Sequence, residues 1–431
     1  MRGLSWLWLC GFSAVSAQQH LSRQVSQPLP PSQDPWYSAP PGFESTNPGA
    51  ILRLRSAPGN LTTVVGNTSA AYNILYRTTD SRYQPSWAVT TLFVPNSFYV
   101  SPSGNRALLS YQFAYDSADV DSGPSYGLYY SLAQAVPSLG VPSDTGLLNS
   151  LLSQGWVVNT PDYEGPTAAF GASVQAGQAT LDAVRAMLNL GHLTGQGIGT
   201  NNVTVALWGY SGGSIATEAA SELQVQYAPE LVINGAAASG LVTDFSITFD
   251  LFNESPIAGD LVAVLLGVTA QYPPAAAYLR SRLQPENASV FLGAKNMITG
   301  AATSYFSMKN IYSYFLNGAA DLKATVLQKV YHVEMKLGYH GVPAMPMYIY
   351  NAIHDEYCPA GQTDELVAKY CGAGASITYD RNTVGGHVAE IVNGQPRAME
   401  WVWSIFKESY ISPSMGCLTR NVTVNISGLS S

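Results

Sequence analysis

The chain has 431 residues, of which 46% are hydrophobic and only 11% charged, with 28 acidic against 20 basic side chains and a formal net charge of −8. That length allows one large core carrying an insertion, or two domains. The acidic balance argues against nucleic acid or an anionic membrane as the main partner, and no run approaches the ~20 apolar residues of a spanning helix.

In chain order, residues 1–17 hold one positive charge, Arg2, then an apolar stretch, with Val15 and Ala17 at the −3 and −1 cleavage positions. This pattern predicts a secretory signal peptide and a secreted, extracellular mature protein. Residues 18–50, rich in Pro, Ser and Gln, read as an N-terminal arm, extended or flexible. Residues 70–77 and 86–94 alternate about a turn and predict antiparallel strands. The runs 107–114 and 155–160 are more continuously apolar, as central strands are. Residues 172–190 space Val174, Leu181, Val184, Met187 and Leu188 on one helical face.

The apolar run 203–208 leads into Gly209-Tyr210-Ser211-Gly212-Gly213 and then into a helical pattern. A strand, sharp turn and helix of this kind lift a serine hydroxyl above a sheet and leave a backbone N–H beside it for an oxyanion. A second match to G-x-S-x-G, Gly123-Pro124-Ser125-Tyr126-Gly127, sits in a polar stretch with no strand leading into it, and Pro124 pushes Gly123 toward an extended shape. Ser211 is therefore the expected nucleophile, and Ser125 is not.

Residues 231–239 predict a further strand. From 244 to 340 the pattern turns helical, apolar and aromatic, and strands return at 345–352 and 376–379 before a last amphipathic helix at 397–409. Alternating strands and helices predict an α/β fold with a mostly parallel central sheet flanked by helices. The block 244–340 reads as an inserted helical cap, or lid, interrupting a core made of 51–243 and 341–431. Leu265, Phe306, Tyr312 and Phe315 are candidates to line an acyl tunnel beneath it, beside the alternative that they are ordinary core.

A serine hydroxyl needs a base, and the base needs an acid to hold its tautomer, in the chain order serine, acid, histidine. Of six histidines, His20 and His192 precede Ser211. His332 and His340 lie in the helical block, and His354 directly adjoins Asp355. His387 remains, in the flexible Gly385-Gly386 loop, as the expected base. The acid should follow the strand 345–352, where Asp355 is preferred with Glu356 beside it; Asp364 and Asp380 stay open. For the oxyanion, the N–H of Gly212 and a group at Asp116, after the strand ending near Tyr115, are expected. Asp162 and Glu164 are either an acid pair near the site or a turn held by side-chain hydrogen bonds.

Seven sequons, at Asn60, Asn67, Asn202, Asn253, Asn287, Asn421 and Asn425, predict N-glycosylation on a secreted protein. Of four cysteines, Cys10 leaves with the signal. An oxidising compartment favours one disulfide, expected between Cys358 and Cys371, with Cys417 able to replace either. No Cys/His cluster has zinc spacing.

The combination of Tyr115-Asp116-Ser117, Gly123-Pro124-Ser125-Tyr126, Pro161-Asp162-Tyr163-Glu164-Gly165, the Ser211 turn, His354-Asp355-Glu356 with Pro359, and Gly386-His387 resembles the fungal secretory lipase family, of the Candida antarctica lipase A type. The resemblance spans about residues 110 to 390. It implies an α/β-hydrolase fold with a helical cap, and hydrolysis of carboxylic esters of fatty acids such as triacylglycerols. It implies Ser211, Asp355 and His387 as the catalytic set and Asp116 with Gly212 at the oxyanion. The chain lacks the cysteines that bridge the loop after Asp116 to the cap in the family's type member. The mechanism calls for no cofactor or metal. The expected partner is a lipid or ester substrate, at a lipid–water interface in the lipase case, and a monomer is favoured. The competing readings are an esterase or acyltransferase on small soluble esters, a serine peptidase, and a non-catalytic glycoprotein.

Overall fold

The computed structural model describes residues 28–59, 61–134, 141–194 and 202–428. The signal peptide expected at 1–17, the start of the arm, Asn60 and the His192 side chain lie outside what is described. Ten strands among the described residues form one sheet: β1 (Ile51–Ser56), β2 (Thr68–Thr79), β3 (Pro85–Pro95), β4 (Arg106–Gln112), β5 (Val157–Pro161), β6 (Val203–Tyr210), β7 (Gly235–Ser239), β8 (Met347–Ala352), β9 (Ile377–Asn382) and β10 (Cys417–Val422). Their order is β1-β2-β3-β5-β4-β6-β7-β8-β9-β10. The pairings from β1 through β3 to β5 are antiparallel, and those from β5 to β10 are parallel.

Between the strands run α1 (Leu61–Val64), α2 (Pro124–Gln134), α3 (Val141–Ser153), α4 (Ser173–Thr194) and α5 (Gly212–Tyr227). The parallel strands β5, β7 and β8 are buried along their whole length, as continuous apolar runs require when helices cover both faces. The two faces can be read from neighbouring residues of β6. A Cβ on Gly209 would run into the Gly213 carbonyl and Thr217 of α5. Trp208 points the other way, its indole N–H donating to the Tyr350 hydroxyl at 3.1 Å. Tyr350 in turn packs on Gly394 of the last helix.

Between β7 and β8 the named elements are helical: α6 (Phe249–Phe252), α7 (Ala258–Ala270), α8 (Pro273–Ser281), α9 (Pro285–Gly293), α10 (Thr299–Phe306), α11 (Ala319–Leu322) and α12 (Thr325–Glu334), with short 3-10 turns. Helix α7 is apolar and buried nearly all round, the signature of a core helix. It docks directly on the sheet domain. A Cβ on Gly267 would strike the Phe170 backbone, and one on Gly171 would strike Val264. After β8 come α13 (Ala360–Gly372) and α14 (His387–Phe406).

Three local expectations differ from the structure, and two edge strands were not expected. The predicted strand 231–239 shortens to β7, with Leu231, Val232 and Ile233 outside regular structure. The edge strands β1 and β10 carry no clear alternation; the middle of β10 is exposed on both faces. Helix α14 begins ten residues before 397 and runs through Pro396. The described part of the arm is pinned along the core: Asp34 pairs with Arg55 at 2.6 Å, and the Trp87 indole N–H donates to the Tyr37 carbonyl at 2.9 Å.

Candidate active site

The carboxyl ends of β4, β6, β7, β8 and β9 deliver one residue cluster. Ser211 follows β6 at once, with φ 52° and ψ −126°, a conformation strained for a residue with a Cβ. Its N–H donates to the Ser239 carbonyl at 2.8 Å, and its carbonyl accepts the Ser214 N–H at 2.8 Å. The glycines are steric necessities here. A Cβ on Gly213 would land on the Gln112 carbonyl, and one on Gly212 would land on the Asp116 carboxyl.

The His387 Nε2 lies 2.9 Å from the Ser211 hydroxyl, and its Nδ1 lies 2.8 Å from Asp355 Oδ2. Nδ1–H donates to the carboxylate, which leaves Nε2 to accept the serine proton; this tautomer follows from the network. Asp355 Oδ1 accepts the N–H groups of Tyr357 at 3.0 Å and Cys358 at 2.7 Å. The histidine backbone is held by two contacts that the sequence pattern does not reveal. Glu356 accepts the His387 N–H at 2.9 Å, and the Tyr210 hydroxyl donates to the His387 carbonyl at 2.6 Å. Both Asp355 and His387 are buried. The serine thus sits next to a buried imidazole whose far nitrogen is fixed by a carboxylate, the arrangement that can pass a proton from a hydroxyl to a ring nitrogen.

Asp116 adopts a left-handed φ of 40°, which Asp tolerates better than most residues. Its carboxyl lies against Gly212, and no hydrogen-bond partner among the described residues reaches Oδ1. Burial raises its pKa to about 7, opposed by the nearby His387. These groups open into a cavity of ≈ 260 Å³. Its wall is largely apolar, with Phe170, Val242, Phe245, Phe252, Ile257 and Ile391, and it also carries Asp260, Thr299 and Tyr357. Leu265, Phe306, Tyr312 and Phe315, open to two readings as tunnel lining or ordinary core, are all absent from the cavity wall. Leu265, Phe306 and Phe315 are shut inside the helical insertion, and the Tyr312 hydroxyl donates to Asp250 at 2.5 Å. The cavity draws instead on the start of α7 and on the chain entering the insertion.

Ser125 starts the first turns of α2, and its hydroxyl donates to Asp162 at 2.5 Å, with its N–H donating to the same carboxyl at 2.9 Å. The Tyr37 hydroxyl lies 2.9 Å from it. Asp162 therefore serves to hold this turn, beside a separate cavity of ≈ 200 Å³ under the arm. His340 is engaged with the Val333 carbonyl at 2.7 Å, and His354 is exposed. Asp380 is taken by Arg420 at 2.6 Å, and Asp364 pairs with Arg381 at 3.1 Å.

The expected disulfide between Cys358 and Cys371 is not formed; Cys371 is bonded to Cys417, and Cys358 is a buried free thiol. Those two cysteines lie on either end of the 13-residue α13, a helix roughly 20 Å long. A disulfide needs Cα atoms within about 7 Å. The ligating atoms of Cys358, Asp355 and His387 lie within 4.8 Å of one another, a set that could hold a soft metal ion. Asp355 and His387 are, however, already engaged with each other. Among the sequon residues, Asn67, Asn202, Asn421 and Asn425 are exposed, while Asn253 and Asn287 are half-buried. Asn253 also accepts the Ile311 N–H at 2.7 Å.

The family model for secretory lipases matches residues 132–412. A protein of Stachybotrys chartarum described as a probable trichothecene esterase is 53% identical over 99% of this chain and 88% of its own length. The trichothecene C-3 esterase of Fusarium sporotrichioides is 46% identical over 97% of this chain and 92% of its own. Among solved structures, Candida antarctica lipase A in its closed state superposes with a TM-score of 0.81 at 26% identity, covering 91% of this chain and 90% of that one. The fold is that of the α/β-hydrolases. No helix among the described residues is long and apolar enough to cross a membrane.

Proposed function

This chain belongs to the secretory lipase family and is a carboxylic ester hydrolase, and from that premise we propose that it acts through Ser211, His387 and Asp355 on compact apolar esters outside the cell. The observation that carries the reading is His387 bridging Ser211 and Asp355 at 2.9 and 2.8 Å. His387 Nε2 takes the Ser211 proton as Oγ attacks the acyl carbonyl. The oxyanion that forms is met by the N–H groups of Gly212 and Asp116, donors worth about 10²–10³ in rate apiece. The tetrahedral species collapses as His387 returns the proton to the leaving alcohol. Water, deprotonated by the same nitrogen, then attacks the acyl-serine and releases the acid. Asp355 holds the ring and stabilises the imidazolium. The segment 244–340 acts as the cap over the site. Residues 1–17 act as the export signal.

Two features support a compact ester over a long-chain triacylglycerol. The two relatives cited, matched nearly end to end, are described as esterases of trichothecenes. The cavity of ≈ 260 Å³ lies just below the usual range of ligand pockets, about 300–1,000 Å³. The likeness to lipase A keeps fatty-acyl glycerides as the second reading. Purified protein assayed on an acetylated trichothecene and on emulsified trioleoylglycerol separates them. The first is expected to turn over at least about 100-fold faster, a margin of two decades in transition-state binding. Preference for the emulsion would sink the compact-ester reading and leave the hydrolase reading standing.

A further inference from the structure

The cavity beside Ser211 is apolar on most of its surface, and one polar group on its wall is not accounted for by the reaction. Asp260 lies in the first turn of α7 and is 8% exposed. It lines the same space as Ser211, Asp116 and His387. Its Oδ1 accepts the Thr303 hydroxyl at 3.3 Å, and no donor among the described residues reaches Oδ2. The other hydroxyls nearby are committed: Thr299 donates to the Tyr115 carbonyl, and Tyr210 to the His387 carbonyl. Tyr357 lines the same cavity, so it and Asp260 are polar groups in a largely apolar wall. Burial, with the neighbouring Asp116 carboxyl, holds Asp260 well above the usual carboxylate range. The carboxyl lines the cavity with hydrogen-bonding capacity that Thr303 does not use up.

We propose that Asp260 reads a hydroxyl on the alcohol part of the ester, which makes the substrate a partial ester of a diol or polyol. The inference rests on the site reading above and deepens it. An unsubstituted acyl group carries no oxygen beyond the reacting carboxyl, so the recognised hydroxyl belongs to the alcohol. A site built to hydrogen-bond a substrate hydroxyl discriminates against the analogue lacking it far more strongly than a pocket discriminates by size.

The test compares monoacetates of a set of bicyclic diols with the acetates of the matching mono-alcohols. In the wild-type protein at least one diol ester is expected to exceed its partner tenfold or more in kcat/KM. Asp260→Leu should bring that ratio to within about twofold of one, whatever it does to both rates. Asp260→Asn, which keeps two hydrogen-bonding atoms in place, should retain most of it, and it serves if the leucine variant fails to fold. Hydrolysis of p-nitrophenyl butyrate, lost in Ser211→Ala, checks the catalytic reading independently. A wild-type protein that passes this control but shows no diol preference, or a preference that survives in Asp260→Leu, overturns the assignment of Asp260 alone.

Discussion

A serine at φ 52° costs on the order of 1–3 kcal/mol. It is held there by two backbone hydrogen bonds and by glycines whose missing Cβ atoms make room for Gln112 and Asp116. Asp116 carries the sharpest pH consequence at this scale. Its carboxyl is neutral below about pH 7 and ionised above, and a negative charge beside a forming oxyanion opposes it. In kcat/KM measured from pH 5.5 to 9.5, turnover is therefore expected to fall on the alkaline side in a step that Asp116→Asn removes, asparagine being equally tolerant of the left-handed turn. An unchanged alkaline limb in that variant would exclude Asp116 as its source. Ser211, His387 and Asp355 were legible in the sequence because the turn motif and chain order leave few choices. Asp260 was not, and although Tyr210 and Glu356 stand beside Ser211 and Asp355 in the sequence, their hydrogen bonds to the His387 backbone belong to no motif.

At the scale of elements, the sequence showed those whose burial is periodic or continuous and hid those whose burial is neither. Strands β3, β4, β5 and β6 are buried on one or both faces and were visible as apolar runs. Strand β10 pairs only with β9 and exposes most of its side chains, so nothing in its composition marks it. The Cys371–Cys417 bond ties this edge strand to α13 and closes a span of 46 residues. In the chain-entropy model that closure stabilises by roughly 4 kcal/mol. The double variant Cys371→Ser, Cys417→Ser is expected to melt several degrees lower while keeping kcat/KM at 25 °C within about threefold, because the bond lies at the sheet's far edge. A melting temperature equal to wild type would show that β10 is held by its hydrogen bonds alone.

For the whole molecule, the order of the strands brings five strand ends to one side, where residues of the helical segment between β7 and β8 join the cavity wall. That class of architecture was predictable from alternating strand and helix patterns. The identity of the cavity wall was not, because α7 presents only its first turn to the cavity and buries the rest against α10 and the core loop at Phe170 and Gly171. The proposed chemistry requires one activated serine, Ser211, and a structural role for the other G-x-S-x-G serine, Ser125. A fluorophosphonate probe reacts only with an activated serine, so labelling of the intact protein tests this most directly. Labelling is expected in the wild type and in Ser125→Ala, and none in Ser211→Ala. Labelling that persists in Ser211→Ala, or disappears in a folded Ser125→Ala, would contradict the account.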